Sequence, residues 1–140
     1  MRWPAASRYA APIMSNLVDM MDSPLLQVWG ETVRARRVQG EHITLAVVEL
    51  DPNAVVPEHH HVAEQMGIVL AGEMIFTIDG ETRTLGPGGT WRILSDIPHG
   101  VTAGPNGAVV IDVFTPVRAD WDTLPAIEDA SPRWPGSDLA

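Results

Sequence analysis

The densest group of chemically useful side chains is Pro57-Glu58-His59-His60-His61-Val62-Ala63-Glu64-Gln65-Met66-Gly67, which holds three of the five histidines with a carboxylate and an amide. It lies just ahead of an apolar run with the character of a strand. In an extended chain, side chains two residues apart share a face, so His59 and His61 point one way and His60 the other. Two imidazoles on one face can share a metal ion. Cysteine is absent, which excludes disulfides, thiolate sites and cysteine nucleophiles and leaves nitrogen and oxygen as the donors for any metal. A second group ends the last apolar run, Ile111-Asp112-Val113-Phe114-Thr115-Pro116-Val117-Arg118. Asp112 and Phe114 share a strand face, and Arg118 lies just past the strand. A carboxylate in an otherwise apolar strand must find a partner or do chemistry. Both a structural Asp112–Arg118 pair and a reactive Asp112 remain open.

The elements that must position these groups are short and extended. Strands are expected at Leu25 to Gly30 and Thr32 to Val38, with Arg34, Arg36 and Arg37 on a solvated edge. His42 to Leu50 is apolar and β-branched, as a strand buried on both faces would be. Further strands cover Val55-Val56, Gln65 to Leu70, and Glu73 to Ile78 after a break at Ala71-Gly72. Asp79-Gly80 is a tight hairpin signal, because such turns demand positive φ. Glu81 to Leu85 returns from it, and Gly86-Pro87-Gly88-Gly89 leads to Thr90 to Leu94. A strand from His99 to Ala103, a turn at Gly104-Pro105-Asn106-Gly107 and a strand from Ala108 to Phe114 complete the run. Many short strands separated by glycine and proline turns predict an all-β sandwich or barrel.

With 140 residues and 45% hydrophobic content, the chain suits one compact domain with its own core. The expected organisation is an N-terminal arm over 1–24, a barrel over 25–118 and a C-terminal tail over 119–140. Trp121 and Trp134 are large apolar residues to leave in water, so parts of the tail should lie against the barrel or a neighbouring subunit. The net charge of −9, from 18 acidic residues against nine arginines, disfavours nucleic acid and anionic membrane surfaces as partners. No apolar stretch is long enough to span a bilayer. Polar residues interrupt Met1 to Pro12 where a signal peptide would need an apolar stretch. Cytoplasm is therefore the default compartment, with Met14 an alternative start.

The chain resembles the cupins, small double-stranded β-helix (jelly-roll) barrels that often carry one metal. Their usual first motif has an HxH pair, a carboxylate or amide a few residues on, and a later glycine, matched here by His59-x-His61, Gln65 and Gly72. The second motif runs from a glycine through a proline to a histidine, matched by Gly89 and Pro98-His99. Two departures are Ile93-Leu94 where an Ile-Pro pair is common, and the lack of the first motif's leading glycine. The resemblance covers residues 43 to 116. It implies a metal site of His59, His61, Gln65 and His99, with Gln65 rather than Glu64 as the oxygen ligand. Such a set suits one divalent Mn, Fe, Ni or Zn better than Mg or Ca. A neutral amide leaves the ion's charge uncompensated, which makes it a stronger Lewis acid.

The spacing of Asp112, Phe114 and Arg118 is similar to that in the pectin-degradation cupins, which open unsaturated monouronates into linear keto sugars. That resemblance implies Asp112 as proton-transfer group, Phe114 as pocket wall and Arg118 as the clamp for a substrate carboxylate. The expected protein is a metal-dependent cupin enzyme acting on a small oxygenated, anionic molecule. Alternatives on the same barrel are a dioxygenase, a polyketide cyclase, or a non-catalytic module that binds a small ligand. Strands apolar on both faces also predict a two-fold homodimer through the His42 to Leu50 strand and the arms.

Overall fold

A computed structural model describes residues 15–128 and 131–136. Most of the expected N-terminal arm, residues 1–14, lies outside the described residues. Residues 15–24 precede the sheet and contain a single 3₁₀ turn, Met20–Asp22, capped by the Asp19 side chain. The strands are β1 (Leu25–Trp29), β2 (Val33–Gln39), β3 (Thr44–Leu50), β4 (Val55–His59), β5 (Glu64–Ile78), β6 (Glu81–Leu85), β7 (Thr90–Ile93), β8 (His99–Thr115) and β9 (Ala126–Ile127). All are joined antiparallel in the order β6-β5-β8-β3-β2-β1-β9, with β4 also on β8 and β7 also on β5. The fold is an all-β jelly roll.

Two long strands make the two layers one structure. The first part of β5, residues 64–72, pairs with residues 108–115 of β8, while its second part, 74–78, pairs with 99–103. The first pairing sits beside β3 and β7, the second beside β4 and β6. Between the halves, each strand changes which residues face inward. Gln65 and Val69 are buried in the first half of β5, Met74 and Phe76 in the second; Ala103 is buried in the first half of β8, and Ala108, Val110, Asp112 and Phe114 in the second. An odd-to-even change of this kind requires extra residues on one strand, which is a bulge. The break at Ala71-Gly72 and the turn at Gly104 to Gly107 expected from sequence are therefore not chain reversals. Both are irregularities inside continuous strands, at which the chain passes from one layer to the other.

Glycine is required at this crossing. Gly72 has φ +76, and a Cβ there would run into the carbonyl oxygen of Gly107 on the paired strand. The Asp79-Gly80 hairpin follows the sequence expectation, with φ of 48 and 81 closing the Ile78–Glu81 pair.

The β2 arginines do not form a solvated edge. β2 lies between β1 and β3, so its charged side chains meet acids across the sheet. Arg36 is 5% exposed and lies 3.7 Å from the buried Glu49, while Arg34 reaches Asp51 at 2.7 Å. Arg37 holds Asp122 at 2.7 Å. The C-terminal segment is also more ordered than its aperiodic sequence suggests. β9 pairs with Leu25 and Leu26, Trp121 is buried against Phe114, and Arg133 reaches Glu49 at 3.0 Å and Asp51 at 3.2 Å. Trp134 lies 5.8 Å from the Arg36 guanidinium, so this end of the chain straps the outer face of β2 and β3.

We expect Gly72→Ala to lower stability by about 2 kcal/mol or more, because it combines a strained φ with a backbone collision. Urea unfolding measures this directly, and an unchanged midpoint would show that β5 and β8 can part without loss.

Candidate metal centre

His59 closes β4 and His99 opens β8, and the two are cross-strand partners. Their ring centroids lie 4.3 Å apart. His61 falls beyond the end of β4, in the connection to β5, yet its ring stands 5.6 Å from His59 and 4.8 Å from His99. Strand alternation alone does not bring it there. Its Nδ1 donates to the Ala63 carbonyl at 2.8 Å, which turns the imidazole inward. His60 points to solvent beside Asp96, and Glu64 is exposed while Gln65 is buried.

The three imidazoles are held alike. His59 Nδ1 faces the Pro57 carbonyl and His99 Nδ1 the Ile97 carbonyl, both at 2.8 Å. A carbonyl oxygen only accepts, so each Nδ1 carries the proton and each neutral ring presents an Nε2 lone pair. One ligand atom from each histidine lies within 4.8 Å of the others. Backbone carbonyls that fix the tautomer are the usual support of metal-ligating histidines. His99 Nε2 is buried and has no hydrogen-bond partner among the described residues.

Gln65 completes the fit. Its Nε2 donates to Asp112 Oδ1 at 2.8 Å, which leaves Oε1 aimed at His61 Nε2 at 3.1 Å. Two lone pairs facing each other at that distance repel unless a positive charge lies between them. Three imidazole nitrogens and an amide oxygen converging in this way suit a first-row divalent ion.

Asp112 is 6% exposed and stands opposite Ala46 on β3 and Gly67 on β5. Gly67 is also the partner of Trp91 on β7. A Cβ at Gly67 would collide with the Trp91 indole and the Ile111 carbonyl. Its absence lets the indole cross over β5, where Nε1 donates to Asp112 Oδ1 at 2.9 Å. Among the described residues, Oδ1 thus takes two hydrogen bonds and Oδ2 none. Burial pushes the Asp112 carboxyl up to about 6, against the lowering by the hydrogen bonds from Gln65 and Trp91 and by the charge of Arg118.

Arg118 does not pair with Asp112. Its Nε and Nη2 fork onto Asp120 at 3.0 and 2.9 Å, and that contact holds the Asp120 carboxyl below its ordinary value. The guanidinium lies 4.7 Å from the Phe114 ring centroid and 5.0 Å from that of Trp121. His59, Gln65, His99, Asp112, Phe114, Arg118, Asp120 and Trp121 line one cavity of about 190 Å³. That is smaller than the roughly 300–1,000 Å³ of pockets for drug-sized ligands, so it fits a small molecule.

All seven site residues expected from sequence therefore gather at one end of the barrel. Sequence reasoning missed Trp29, whose ring lies 5.1 Å from His59, and also Trp91, Asp120 and Trp121. Gly67 inside an apolar strand was a readable sign that another group approaches the backbone closely. Trp29 carries no local signal, because long-range folding brings it in, whereas Asp120 and Trp121 lie in the aperiodic segment just past Arg118, where only packing of Trp121 against the barrel or a neighbouring subunit was expected.

Fold and site together define a small jelly-roll barrel with a three-histidine centre. Residues 46–114 match the family model described as a cupin domain, and the chain belongs to the cupin superfamily. The chain is 37% identical over 65 residues to the pectin degradation protein KdgF of Dickeya dadantii (strain 3937), covering 46% of this chain and 59% of that protein. The match thus spans less than two thirds of that relative. Among solved structures, KdgF from Halomonas sp. superposes with a TM-score of 0.69 at 26% identity, over 76% of this chain and 98% of that one. An RmlC-like cupin from Shewanella frigidimarina gives a TM-score of 0.70 at 21% identity, over 76% and 96% of the respective chains. No helix among the described residues is long and apolar enough to cross a membrane.

Burial pushes His99 down from 6.5 to about 4, and His61 is lowered by burial and then by the charge of Arg118. The fold therefore excludes a proton from His99 that the unfolded chain binds below pH 6.5. Stability supplied by the neutral ring is present above 6.5 and lost as the pH falls towards about 4. We expect the melting temperature of metal-free protein to drop across that window, and His99→Gln to flatten the drop. Elemental analysis at neutral pH should find one divalent ion per chain, absent from His59→Ala and released on acidification.

Proposed function

We propose that this cupin is a metal-dependent isomerase that opens the ring of a small unsaturated uronate to a linear keto sugar. The observation that carries the reading is that Asp112 and Arg118 border one small cavity with His59 and His99, two of the three clustered imidazoles. Similarity to two KdgF proteins, one of them described as a pectin degradation protein, supports the substrate class.

His59, His61, Gln65 and His99 would hold one divalent Mn, Fe, Ni or Zn ion, which when bound supplies Lewis-acid polarisation of a substrate oxygen. Arg118, stacked on Phe114, presents its fork to the substrate carboxylate and orients the sugar. Asp112 takes the proton of the anomeric hydroxyl on its free Oδ2. The ring C–O bond then breaks, leaving an aldehyde at one end and an enolate at the other. Returning the proton to the enolate carbon gives the ketone, so the reaction is an isomerisation without net oxidation. A carboxyl near 6 is suited to both steps, since a group that takes and gives the same proton works best with a pKa close to the ambient pH.

The outer face of β3, β8 and β5 bears Leu45, Met66 and Ile68, each 36–59% exposed. Met66 and Leu45 flank Val113 in register, which makes a continuous apolar patch. Such a patch fits a two-fold dimer. Light scattering should give twice the chain mass, and a monomer at micromolar concentration would rule this out.

Asp112→Asn should lower turnover of an unsaturated uronate at least a hundredfold, within the usual contribution of a positioned acid or base of about 10²–10⁴. Metal content should be unchanged, because the amide oxygen can still accept from Trp91. Product is followed by NMR. Surviving turnover would make Asp112 structural, oxygen uptake coupled to turnover would assign a dioxygenase, and tight binding without product would assign a ligand-binding module.

A further inference from the structure

The Arg118 fork is already filled. Asp120 accepts from both Nε and Nη2 in a bidentate pair, the same geometry by which a guanidinium holds a ligand carboxylate. Both residues line the cavity that His59 and His99 also line. An anionic ligand reaching for Arg118 would meet the negative charge of Asp120 in the place its own carboxylate needs. Hence one of the two carboxylates must leave.

The surroundings decide which carboxylate is replaceable. Arg118 is fixed independently of Asp120: its backbone N–H donates to the buried Thr44 hydroxyl at 3.0 Å, and its carbonyl accepts from Arg37 at 3.1 Å. Its guanidinium rests on the buried rings of Phe114 and Trp121, and its side chain is only 13% exposed. The Asp120 side chain, on the 3₁₀ turn Ala119–Thr123, is 64% exposed and can swing into water without losing packing. The turn itself is held through Asp122 by Arg37 at 2.7 Å, so moving Asp120 need not disturb it.

We propose that Asp120 is a placeholder for the ligand carboxylate: it fills the Arg118 fork in the empty pocket and is exchanged, carboxylate for carboxylate, when an anionic ligand enters. The exchange sets specificity. A neutral ligand cannot replace the ion pair that opening the fork would break, so it leaves the fork closed and gains nothing from Arg118, whereas a carboxylate restores both hydrogen bonds. Because Arg118 is held by stacking and backbone contacts, removing Asp120 leaves the fork in place and takes away its competitor. The sign of the effect is therefore unusual: deleting a pocket side chain tightens binding.

The inference rests on the reading of Arg118 as a carboxylate clamp, and the two can fail separately. Calorimetric titration of the metal-loaded protein with D-galacturonate, and with D-galactose as the neutral counterpart, compares wild type, Asp120→Asn, Asp120→Ser and Arg118→Gln. Both Asp120 variants should bind galacturonate on the order of three- to tenfold more tightly, the range expected when a partly exposed ion pair no longer competes. Galactose binding should not change, and Arg118→Gln should abolish the preference for the acid. Unchanged or weaker galacturonate binding in both Asp120 variants, with the preference lost in Arg118→Gln, overturns the placeholder and leaves the clamp standing. A preference that survives Arg118→Gln overturns the clamp and the placeholder together, as does the absence of galacturonate binding in all four proteins.

Discussion

One buried carboxylate orders this end of the barrel. A carboxylate taken out of water must be met by donors or become neutral, and Asp112 answers with hydrogen bonds from Gln65 and Trp91 on a single oxygen. Those bonds reach beyond the aspartate itself. The first fixes which end of the Gln65 amide faces the histidines. The second fixes the indole against a strand that has glycine at the crossing point. Asp112 also lines the cavity, which is why the same residue can be read as both a structural anchor and a proposed proton carrier.

The histidines illustrate a complementary economy. Each imidazole spends its Nδ1 proton on a backbone carbonyl two residues away, so orientation comes from local chain geometry and not from distant side chains. Convergence is a different matter. It depends on β8 running beside both β4 and β5, and that depends on the bulges that let the two long strands pass between layers. The bulges thus place His99 in one layer and Asp112 in the other, though both belong to one strand.

Electrostatics at the mouth follow from the same packing. Arg118 lies close enough to His61 and His99 to favour their neutral forms, and its guanidinium rests against two aromatic rings that also touch each other. A neutral set of four donors would leave the charge of a bound divalent ion uncompensated, so a pocket already holding that ion and a fixed arginine favours anions. Asp112 and Asp120 temper that field from opposite sides, one buried and hydrogen-bonded, the other exposed and paired.

Much of this was legible in the sequence because its signals are local. The positions of most strands, the Asp79-Gly80 hairpin, the HxH spacing with Gln65, and the Asp112-Phe114-Arg118 series are all set within a few residues by the two-residue period and by turn chemistry. The illegible parts have the opposite character. The sequence shows glycines at 72, 104 and 107 but cannot show whether they end a strand or bulge within it, since that depends on what the partner strand does. Nor does an arginine-rich strand reveal that Glu49, Asp51 and Asp122 will lie across from it, or an aperiodic tail that Trp121 will close on Phe114 and carry Asp120 to the fork of Arg118. By itself, then, the sequence determined the residues able to ligate, clamp and transfer a proton, because residue type and short spacing specify chemistry. Only the tertiary structure decided which of them meet and how Gln65 is turned, because those depend on contacts between residues far apart in the chain.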